Sequence, residues 1–341
     1  MIKKLIALFV STVLSLIVAE FVLRSIFPTP LSFKSPQVRY VEHDARRFAL
    51  MPGQDSAYSY SGAVTVGADG FRLVPESSHS DEAIGVMAIG DSFTFGMGVH
   101  DEETWPAFLQ VLLNERVEAP FRVTNAGVIS YSVDQILDVL TEHVGALEPT
   151  VVIHGLYWND YQVAGDTGPG APSVLTPEGY FVWHVPPSSD GLAGVNSLLA
   201  YLGSNVLKYA WGIATGLGAT GYEIEYRALV SGELAPEQWE PVEDFYRQLK
   251  AAGEAEGFEV YSVIMPVLGI LESGQGASHP YAERMRALLD SLEIPYLDGV
   301  GLWHEEGLGP DTFLPYNRHL NAKGYHRLAE AIWEDVADLA R

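Results

Sequence analysis

The amino-acid sequence predicts an α/β protein built on a doubly wound parallel β-sheet with helices on both faces. From residue 83 onward, short apolar runs alternate with longer segments of helical periodicity. The runs are apolar throughout, as strands buried on both faces of a parallel sheet must be. Repeated strand-then-helix units imply such a sheet. The predicted strands lie at 84–89, 121–124, 150–156, 258–264 and 294–297, and the predicted helices at 104–116, 132–147, 238–256, 280–292 and 322–340.

The composition limits the classes of function. The chain has 341 residues, enough for one large domain or two small ones with an apolar core. Lys and Arg number 20 against 44 Asp and Glu, so the formal net charge is −24. A surface of this charge repels nucleic acid, and no nucleic-acid partner is expected. The absence of cysteine excludes disulfides, thiolate metal sites and cysteine nucleophiles.

Residues 1–28 are predicted to be a targeting segment outside the fold. Lys3 and Lys4 precede an apolar stretch of fifteen residues that ends at Ala19. This length suits a signal peptide, whereas a membrane span needs roughly 20 residues. The cleavage pattern is poor, because Ile17 would occupy position −3 if Ala19 were the last residue removed. We favour an uncleaved membrane anchor over a cleaved signal, and in both cases the rest of the chain is expected in the periplasm or outside the cell.

Two further segments stand outside the alternating pattern. Residues 29–80 are rich in Pro, Ser, Gly and Tyr and are predicted to be a linker followed by a short β-rich preamble. The main domain is then expected at 81–341. Within it, residues 161–235 form an insertion of about 75 residues, which is too long for a structureless loop in a compact domain. We expect this insertion to be a partly helical cap over the active edge of the sheet.

A candidate nucleophile follows the first predicted strand, in the segment Gly90-Asp91-Ser92-Phe93-Thr94-Phe95-Gly96. A turn of this kind exposes one hydroxyl at the carboxyl edge of the sheet, where open α/β sheets place their chemistry. It differs from the α/β-hydrolase elbow, because Thr94 replaces the second glycine. It also differs from a P-loop, because no Lys-Ser/Thr pair follows the glycines. Asp91 is expected to organise the turn.

Three other polar clusters lie after or just beyond predicted strands, at Asn125-Ala126-Gly127, Tyr157-Trp158-Asn159-Asp160 and Asn317-Arg318-His319-Leu320-Asn321. Acyl transfer through a serine needs a base, a group that holds the base, and donors for the developing oxyanion. Ser92 can be the nucleophile and His319 the base. The N–H groups of Ser92 and Gly127, together with the Asn159 amide, can form the oxyanion hole. Asp160 is expected to hydrogen-bond behind the site.

These four blocks, in this order, resemble the SGNH hydrolase family, also called GDSL esterases and lipases. The resemblance covers roughly residues 83–340, with the insertion unmatched. It implies a flavodoxin-like three-layer α/β/α sandwich with a five-stranded parallel sheet, and ester hydrolysis without a metal or other cofactor. It also implies that Ser92 is the nucleophile, Gly127 and Asn159 are oxyanion donors, and His319 is the base. The N-terminal anchor and short preamble resemble those of exported bacterial members.

The chain departs from the family pattern at one position. The family usually has an Asp two or three residues before the histidine, where this chain has Asn317 and Tyr316. An Asn carbonyl at 317 can orient His319 by accepting from its Nδ1–H. Alternatively, an acid is recruited from elsewhere, with Asp311 nearest in sequence and Asp298 next, or the protein is a weak or inactive enzyme. We favour an active pair of Ser92 and His319 supported by Asn317.

The expected function is that of an exported serine esterase that hydrolyses acyl or acetyl esters of a small molecule or a glycan. The same residues acting on a sugar hydroxyl would make an O-acyltransferase for cell-surface polysaccharide. A catalytically weak binding protein is the third possibility. No metal site is expected, because His304-Glu305-Glu306 lacks the spacing of a ligand set.

Overall fold

The computed structural model describes residues 2–26, 34, 36–77, 80, 82–161, 174–175, 178–182, 221–233, 236–315 and 317–341. Its strands are β1 (Tyr40–His43), β2 (Arg47–Leu50), β3 (Gln54–Ser59), β4 (Gly62–Val66), β5 (Ile84–Gly90), β6 (Phe121–Asn125), β7 (Val151–Leu156), β8 (Val174–Leu175), β9 (Phe181–Val182), β10 (Glu259–Ile264) and β11 (Tyr296–Asp298). Its helices are α1 (Ile2–Ile26), α2 (Ser92–Phe95), α3 (Trp105–Arg116), α4 (Val133–Leu147), α5 (Gly221–Ser231), α6 (Glu240–Glu256), α7 (Leu268–Glu272), α8 (Pro280–Ser291), α9 (Gly299–Glu305) and α10 (Ala322–Leu339).

The centre of the fold is a five-stranded parallel sheet in the order β11–β10–β7–β5–β6. This confirms the predicted α/β fold and its five strands. The last strand begins at Tyr296 rather than at residue 294, since Pro295 has no N–H to give to the ladder. The chain adds β6 on one side of β5 and then β7 on the other side. Because crossover connections between parallel strands are right-handed, this change of side requires helices on both faces of the sheet.

The helices pack in pairs, α3 against α10 and α4 against α6. α3 begins at Thr104, whose Oγ1 accepts a hydrogen bond from Ala107 N–H at 3.3 Å. α10 begins at Asn321, whose Oδ1 accepts one from Gly324 N–H at 3.1 Å. The inward face of α10 carries three fully buried side chains, spaced as on one face of a helix: Leu328, Ile332 and Val336. The Asn321 cap fixes where α10 starts, and with it the position of the residues just before.

Residues 36–77 pack onto the sheet and share its apolar core. β1 pairs with β2, and β3 with β4, in antiparallel ladders. Their inward side chains, including Tyr40 and Phe48, belong to the same buried cluster as the parallel strands. Arg72 forms an isolated bridge with Asn125 at the end of β6. The preamble is therefore attached to the edge of the sheet nearest the nucleophile turn.

Arg72 is buried and holds the backbone that follows α2. Its Nε donates to Asp101 Oδ1 at 2.9 Å, in an ion pair that is almost completely desolvated. Its Nη atoms donate over 2.7–2.8 Å to three carbonyls, those of Phe95, Gly96 and Val99. Since α2 begins at Ser92, this guanidinium ties the preamble to the segment that carries the candidate nucleophile.

We expect Arg72→Ala to lower the free energy of unfolding by about 3–5 kcal/mol. The change leaves Asp101 as an unpaired buried charge and removes the short hydrogen bonds that the guanidinium donates to three carbonyls. Urea unfolding followed by circular dichroism measures the loss. The matched control is Arg247→Ala, which removes an exposed arginine paired with Glu243 and Asp244 and should cost less than about 1 kcal/mol. Equal losses of unfolding free energy at the two positions would contradict the conclusion that Arg72 holds this part of the backbone.

In the described part of the chain, no helix combines the length and the apolar character needed to cross a membrane. The anchor expected within residues 1–28 stays a prediction.

Most of the insertion at 161–235, including Trp183, lies outside the described residues. In the described portion, β8 and β9 form an antiparallel pair, and Tyr40 N–H donates to Gly179 O at 2.8 Å. α5, at the end of the insertion, is anchored by Tyr226 and Leu229, both buried. The Tyr226 ring lies 5.7 Å from the Trp158 ring, and the Arg318 guanidinium lies 4.2 Å from the centre of Tyr226. The end of the insertion therefore contacts the loops on either side of the candidate site, and its role as a cap stays a prediction.

Candidate active site

The candidate nucleophile lies where β5 turns into α2. Gly90 has φ of +152°, and a Cβ there would lie 2.3 Å from Thr94 Oγ1, so only glycine fits. Asp91 caps α2, since its Oδ1 accepts a hydrogen bond from Phe93 N–H at 2.8 Å. Asp91 therefore organises the turn, as the sequence predicted. Ser92 is the first residue of α2 and is 8% exposed.

Three glycines make room for one side chain, Thr94. A Cβ at Gly90, Gly127 or Gly155 would meet Thr94 at 2.3, 2.8 or 2.4 Å. These glycines follow or lie near the ends of β5, β6 and β7, which are neighbours in the sheet. Thr94 thus packs three strand ends around α2. The sequence alone did not predict this role, although glycines near the ends of three predicted strands are the signal that could have shown it.

The structure brings Ser92 and His319 into contact, with Ser92 Oγ 2.7 Å from His319 Nε2. This distance is within the range for direct proton transfer. His319 sits in a loop closed by Leu314 N–H, which donates to His319 O at 2.7 Å, and the Asn321 cap of α10 follows two residues later. The loop and the cap together fix the position of the His319 backbone, and so bring the imidazole to Ser92.

The group that holds the histidine is a backbone carbonyl. His319 Nδ1 lies 3.0 Å from Asn317 O, whereas the Asn317 side chain accepts from His319 N–H at 3.2 Å. With its proton on Nδ1, the imidazole donates to this carbonyl and leaves Nε2 free to accept from Ser92. We expected the side-chain carbonyl of Asn317 to do this, and the structure assigns the contact to the main chain. The physical reason is that the Asn317 side chain folds back to cap the turn.

Neither acid that we considered as a substitute reaches His319. Asp311 is exposed and pairs with Lys323. Asp298 pairs with Arg286 and caps α9 by accepting from Gly301 N–H at 2.9 Å. Both carboxylates already have partners, so the structure gives no support to an acid recruited from these positions.

Phe93 holds the plane of the imidazole. Its ring stacks on His319 with centroids 4.5 Å apart and on Tyr157 with centroids 3.8 Å apart. Phe93 is fully buried, and desolvation in this stack lowers the pKa of His319 to about 4. Sequence analysis missed Phe93, because an aromatic residue beside a serine carries no periodic signal.

The proposed oxyanion donors flank α2 on both sides. Asn159 follows β7, whose Gly155 pairs with Gly90 of β5, so its turn lies next to the nucleophile. Its Oδ1 is buried without a hydrogen-bond partner, which leaves Nδ2 as the accessible end of the amide. Gly127 packs against the backbone of α2, but its N–H already donates to Asn125 Oδ1 at 3.1 Å. Of these two donors, the Gly127 N–H already has an acceptor, whereas no hydrogen bond to another described residue occupies Asn159 Nδ2.

Two buried carboxyls lie below the nucleophile. Burial raises the pKa of Asp91 to about 7, and its Oδ2 lies 3.2 Å from Ser92 Oγ. Burial and the neighbouring Asp91 raise the pKa of Asp160 well above its usual value. Asp160 Oδ2 accepts from Tyr157 N–H at 2.8 Å and so closes the turn that carries Asn159. Asp160 therefore hydrogen-bonds behind the site, as expected.

Comparison with known families identifies the class of enzyme. A model of the GDSL-like lipase/acylhydrolase family matches residues 88–327, which is more than half of the chain. The chain belongs to this family. Its enzymatic class is accordingly that of an ester hydrolase. A search of curated protein sequences found no match.

The chain is also similar to several solved structures. TesA shares 15% identity with a TM-score of 0.45, over 75% of this chain and 99% of TesA. The acetyl xylan esterase AlAXEase shares 17% identity with a TM-score of 0.42, over 74% of this chain and all 100% of the esterase. A lipase/acylhydrolase from Enterococcus faecalis shares 11% identity with a TM-score of 0.42, over 75% of this chain and 96% of its own.

For this GDSL-like hydrolase we expect Asn317→Asp to shift the pH profile with little gain in rate. A carboxylate near His319 stabilises the imidazolium, so it raises the pKa of the base above about 4. Because the base must be unprotonated, the rising limb of kcat/KM moves to higher pH. The plateau should change by less than about tenfold, since Nδ1 donates to the main chain rather than to this side chain. Profiles of both proteins on a chromogenic acetate measure both quantities, and a plateau more than tenfold higher would show that the side chain is the true partner.

Proposed function

We propose that this GDSL-like hydrolase is an exported serine esterase that cleaves acyl or acetyl esters through a covalent acyl-enzyme on Ser92. The observation that carries the proposal is the contact of 2.7 Å between Ser92 Oγ and His319 Nε2. It is supported by the tautomer that Asn317 O selects, which leaves Nε2 as the acceptor. The substrate class is a carboxylic ester of a small molecule or of a glycan.

Formation of the acyl-enzyme uses both residues. His319 Nε2 takes the proton of Ser92 as Oγ attacks the ester carbonyl carbon, and the carbonyl oxygen gains negative charge. The C–O bond to the alcohol then breaks, and the imidazolium gives its proton to the departing oxygen. Asn159 Nδ2 and the N–H of Ser92, the first residue of α2, stabilise the oxyanion.

Release of the acyl group repeats these steps with water. His319 takes a proton from water as its oxygen attacks the acyl carbon, and the C–O bond to Ser92 Oγ breaks. The proton returns to Ser92, so the enzyme is regenerated and a carboxylic acid leaves. His319 is unprotonated above about pH 4, because desolvation lowers its pKa, so the base is ready over the neutral range.

The purified protein tests the proposal with a chromogenic acetate as substrate. We expect steady hydrolysis and labelling of Ser92 by a phosphonate inhibitor, seen as a mass shift on the peptide that contains it. Addition of an acetylated donor and an oligosaccharide acceptor distinguishes the transferase alternative, in which the acyl group appears on the sugar rather than in water. A folded wild-type protein with neither activity nor labelling would show a non-catalytic binding protein.

Export is part of the same proposal. Its support is the residue pattern of 1–28, in which Lys3 and Lys4 precede an apolar stretch. We propose that this segment holds the catalytic domain at the outer side of the cytoplasmic membrane. Fractionation of producing cells, with added protease to mark exposed protein, tests the location, and recovery in the cytoplasm would contradict it.

A further inference from the structure

Behind the turn that carries Asn159 lies a row of buried polar side chains that the acyl-transfer steps do not use. Asp160 and His154 are both fully buried, and Asp160 Oδ2 lies 3.6 Å from His154 Nε2. The carboxyl receives one short hydrogen bond, from Tyr157 N–H at 2.8 Å. Among the described residues, Asp160 Oδ1 and His154 Nε2 have no hydrogen-bond partner. This is a sparse environment for a charged carboxylate.

The other end of His154 is well satisfied. Its Nδ1 lies 2.8 Å from the hydroxyl of Tyr246, and that hydroxyl lies 2.6 Å from Ser262 Oγ. These two contacts fit either order of donation. In the order that begins with the proton on Nδ1, the imidazole donates to Tyr246 and Tyr246 donates to Ser262. His154 Nε2 is then a lone pair that faces the carboxyl. A protonated Asp160 can turn its O–H toward this lone pair of His154. An ionised Asp160 would instead place a lone pair of its own opposite it.

The surroundings of Asp160 also favour its neutral form. The titratable groups that act on it come from four elements: Asp91 after β5, His154 in β7, Tyr246 in α6 and Tyr281 in α8. Burial lowers the pKa of His154 to about 3, so none of these groups supplies a positive charge at neutral pH. A carboxylate without a cation in a desolvated site costs several kcal/mol, and keeping the proton avoids this cost.

We infer that Asp160 acts as an uncharged carboxylic acid that positions Asn159 for the oxyanion, an inference that rests on the proposed esterase function. The carboxyl oxygen fixes the turn through Tyr157 N–H, and Asn159 is the residue just before Asp160. Negative charge develops on the substrate oxygen beside Asn159 during attack by Ser92. An anionic Asp160 next to it would oppose that charge, whereas a neutral carboxyl holds the turn without this penalty.

Two substitutions separate the shape of Asp160 from its charge. Asp160→Asn keeps an oxygen for Tyr157 N–H and offers an amide N–H to His154 Nε2. Asp160→Ala removes the acceptor and frees the turn. We expect Asp160→Ala to lower kcat by about tenfold or more with a smaller change in KM, and Asp160→Asn to restore most of that loss. If Asp160→Asn is as defective as Asp160→Ala, the carboxyl works through its charge and the inference is wrong.

Thermal stability, measured against pH without substrate, tests whether Asp160 carries a proton in the folded protein. A carboxyl whose pKa is raised by folding keeps its proton in the native state after the unfolded chain has lost it. Its contribution to stability is complete below the unfolded pKa and is lost as pH rises toward the folded pKa. Asp160→Asn has no such proton, so its Tm should exceed that of the wild type by a margin that widens from about pH 5 to about pH 9. Asp244→Asn replaces an exposed carboxylate and is the control. Its Tm should differ from that of the wild type by a constant margin over this pH range.

The Tm margin and the activity test different parts of the argument. A Tm margin for Asp160→Asn that stays constant across this pH range would overturn the neutral carboxyl, whatever the activity. An inactive wild-type protein that still shows the widening margin would overturn the proposed esterase function instead. The expected result is a widening margin together with rescue of kcat by Asp160→Asn.

Discussion

Replacing Ser92 with Ala should lower kcat for a chromogenic ester by about 10⁴-fold, and His319→Ala should cost nearly as much. The serine and the histidine act as a unit, because the hydroxyl is a nucleophile only when Nε2, 2.7 Å away, accepts its proton. Serine proteases with a full triad lose about 10⁶-fold when either residue is removed. The smaller loss expected here follows from the carbonyl that stands in for the carboxylate, because it selects the tautomer without stabilising the imidazolium by a full charge.

The double variant provides the sharper measurement. If the two residues act together, Ser92→Ala combined with His319→Ala should be no slower than either single variant. Multiplied losses would mean that the residues act independently, which contradicts a shared proton transfer. Thermal unfolding of each variant is the control. The Tm should stay within a few degrees of the wild type, because neither side chain fills the apolar core.

The parallel sheet could be predicted because its signals are local and repeated. β5, β7 and β10 are continuous apolar runs, and segments of helical periodicity lie between the predicted strands, with the insertion at 161–235 as an interruption after β7. Their carboxyl ends must meet at one edge, so Ser92 and Asn159 could be placed together before any coordinates. His319 joined them through its position before the last helix. Order along the chain was enough to predict the contact between Ser92 and His319.

The features of the fold and the site that could not be predicted depend on single contacts, which leave no pattern in the sequence. Arg72 lies in the segment predicted to be a short β-rich preamble, and only the fold shows that its guanidinium binds the carbonyls at the end of α2 and just after it. The choice between the side chain and the main chain of Asn317 depends on a turn of three residues. The plane of His319 depends on the stack with Phe93. Each is fixed by tertiary packing, which propensity and periodicity do not encode.

The buried carboxyls explain why a site with so few cations can still handle negative charge. Asp91 and Asp160 lie below the nucleophile, in a protein whose formal net charge is −24. If both were ionised, they would oppose the oxyanion. Desolvation raises the pKa of both carboxyls, to about 7 for Asp91 and well above its usual value for Asp160, so burial itself disfavours charge at this position. The stabilisation of the oxyanion is then left to N–H donors, and Asn159 is the side chain proposed for this role.

Asn159→Ala should lower kcat by about 10²–10³-fold, the loss typical of an oxyanion donor, with a smaller change in KM. The reason is that Gly127 N–H already donates to Asn125, so no second free amide compensates for Asn159 on that side. Asn159→Asp should be at least as slow, because it replaces the N–H donor with an acceptor and adds charge beside the oxyanion. Kinetics on the chromogenic acetate measure both variants, with the exposed Asn114→Ala as the matched control. An Asn159→Ala enzyme that keeps more than about one tenth of the wild-type kcat would contradict this assignment and point to Gly127 N–H as the main donor, released from Asn125 when substrate binds.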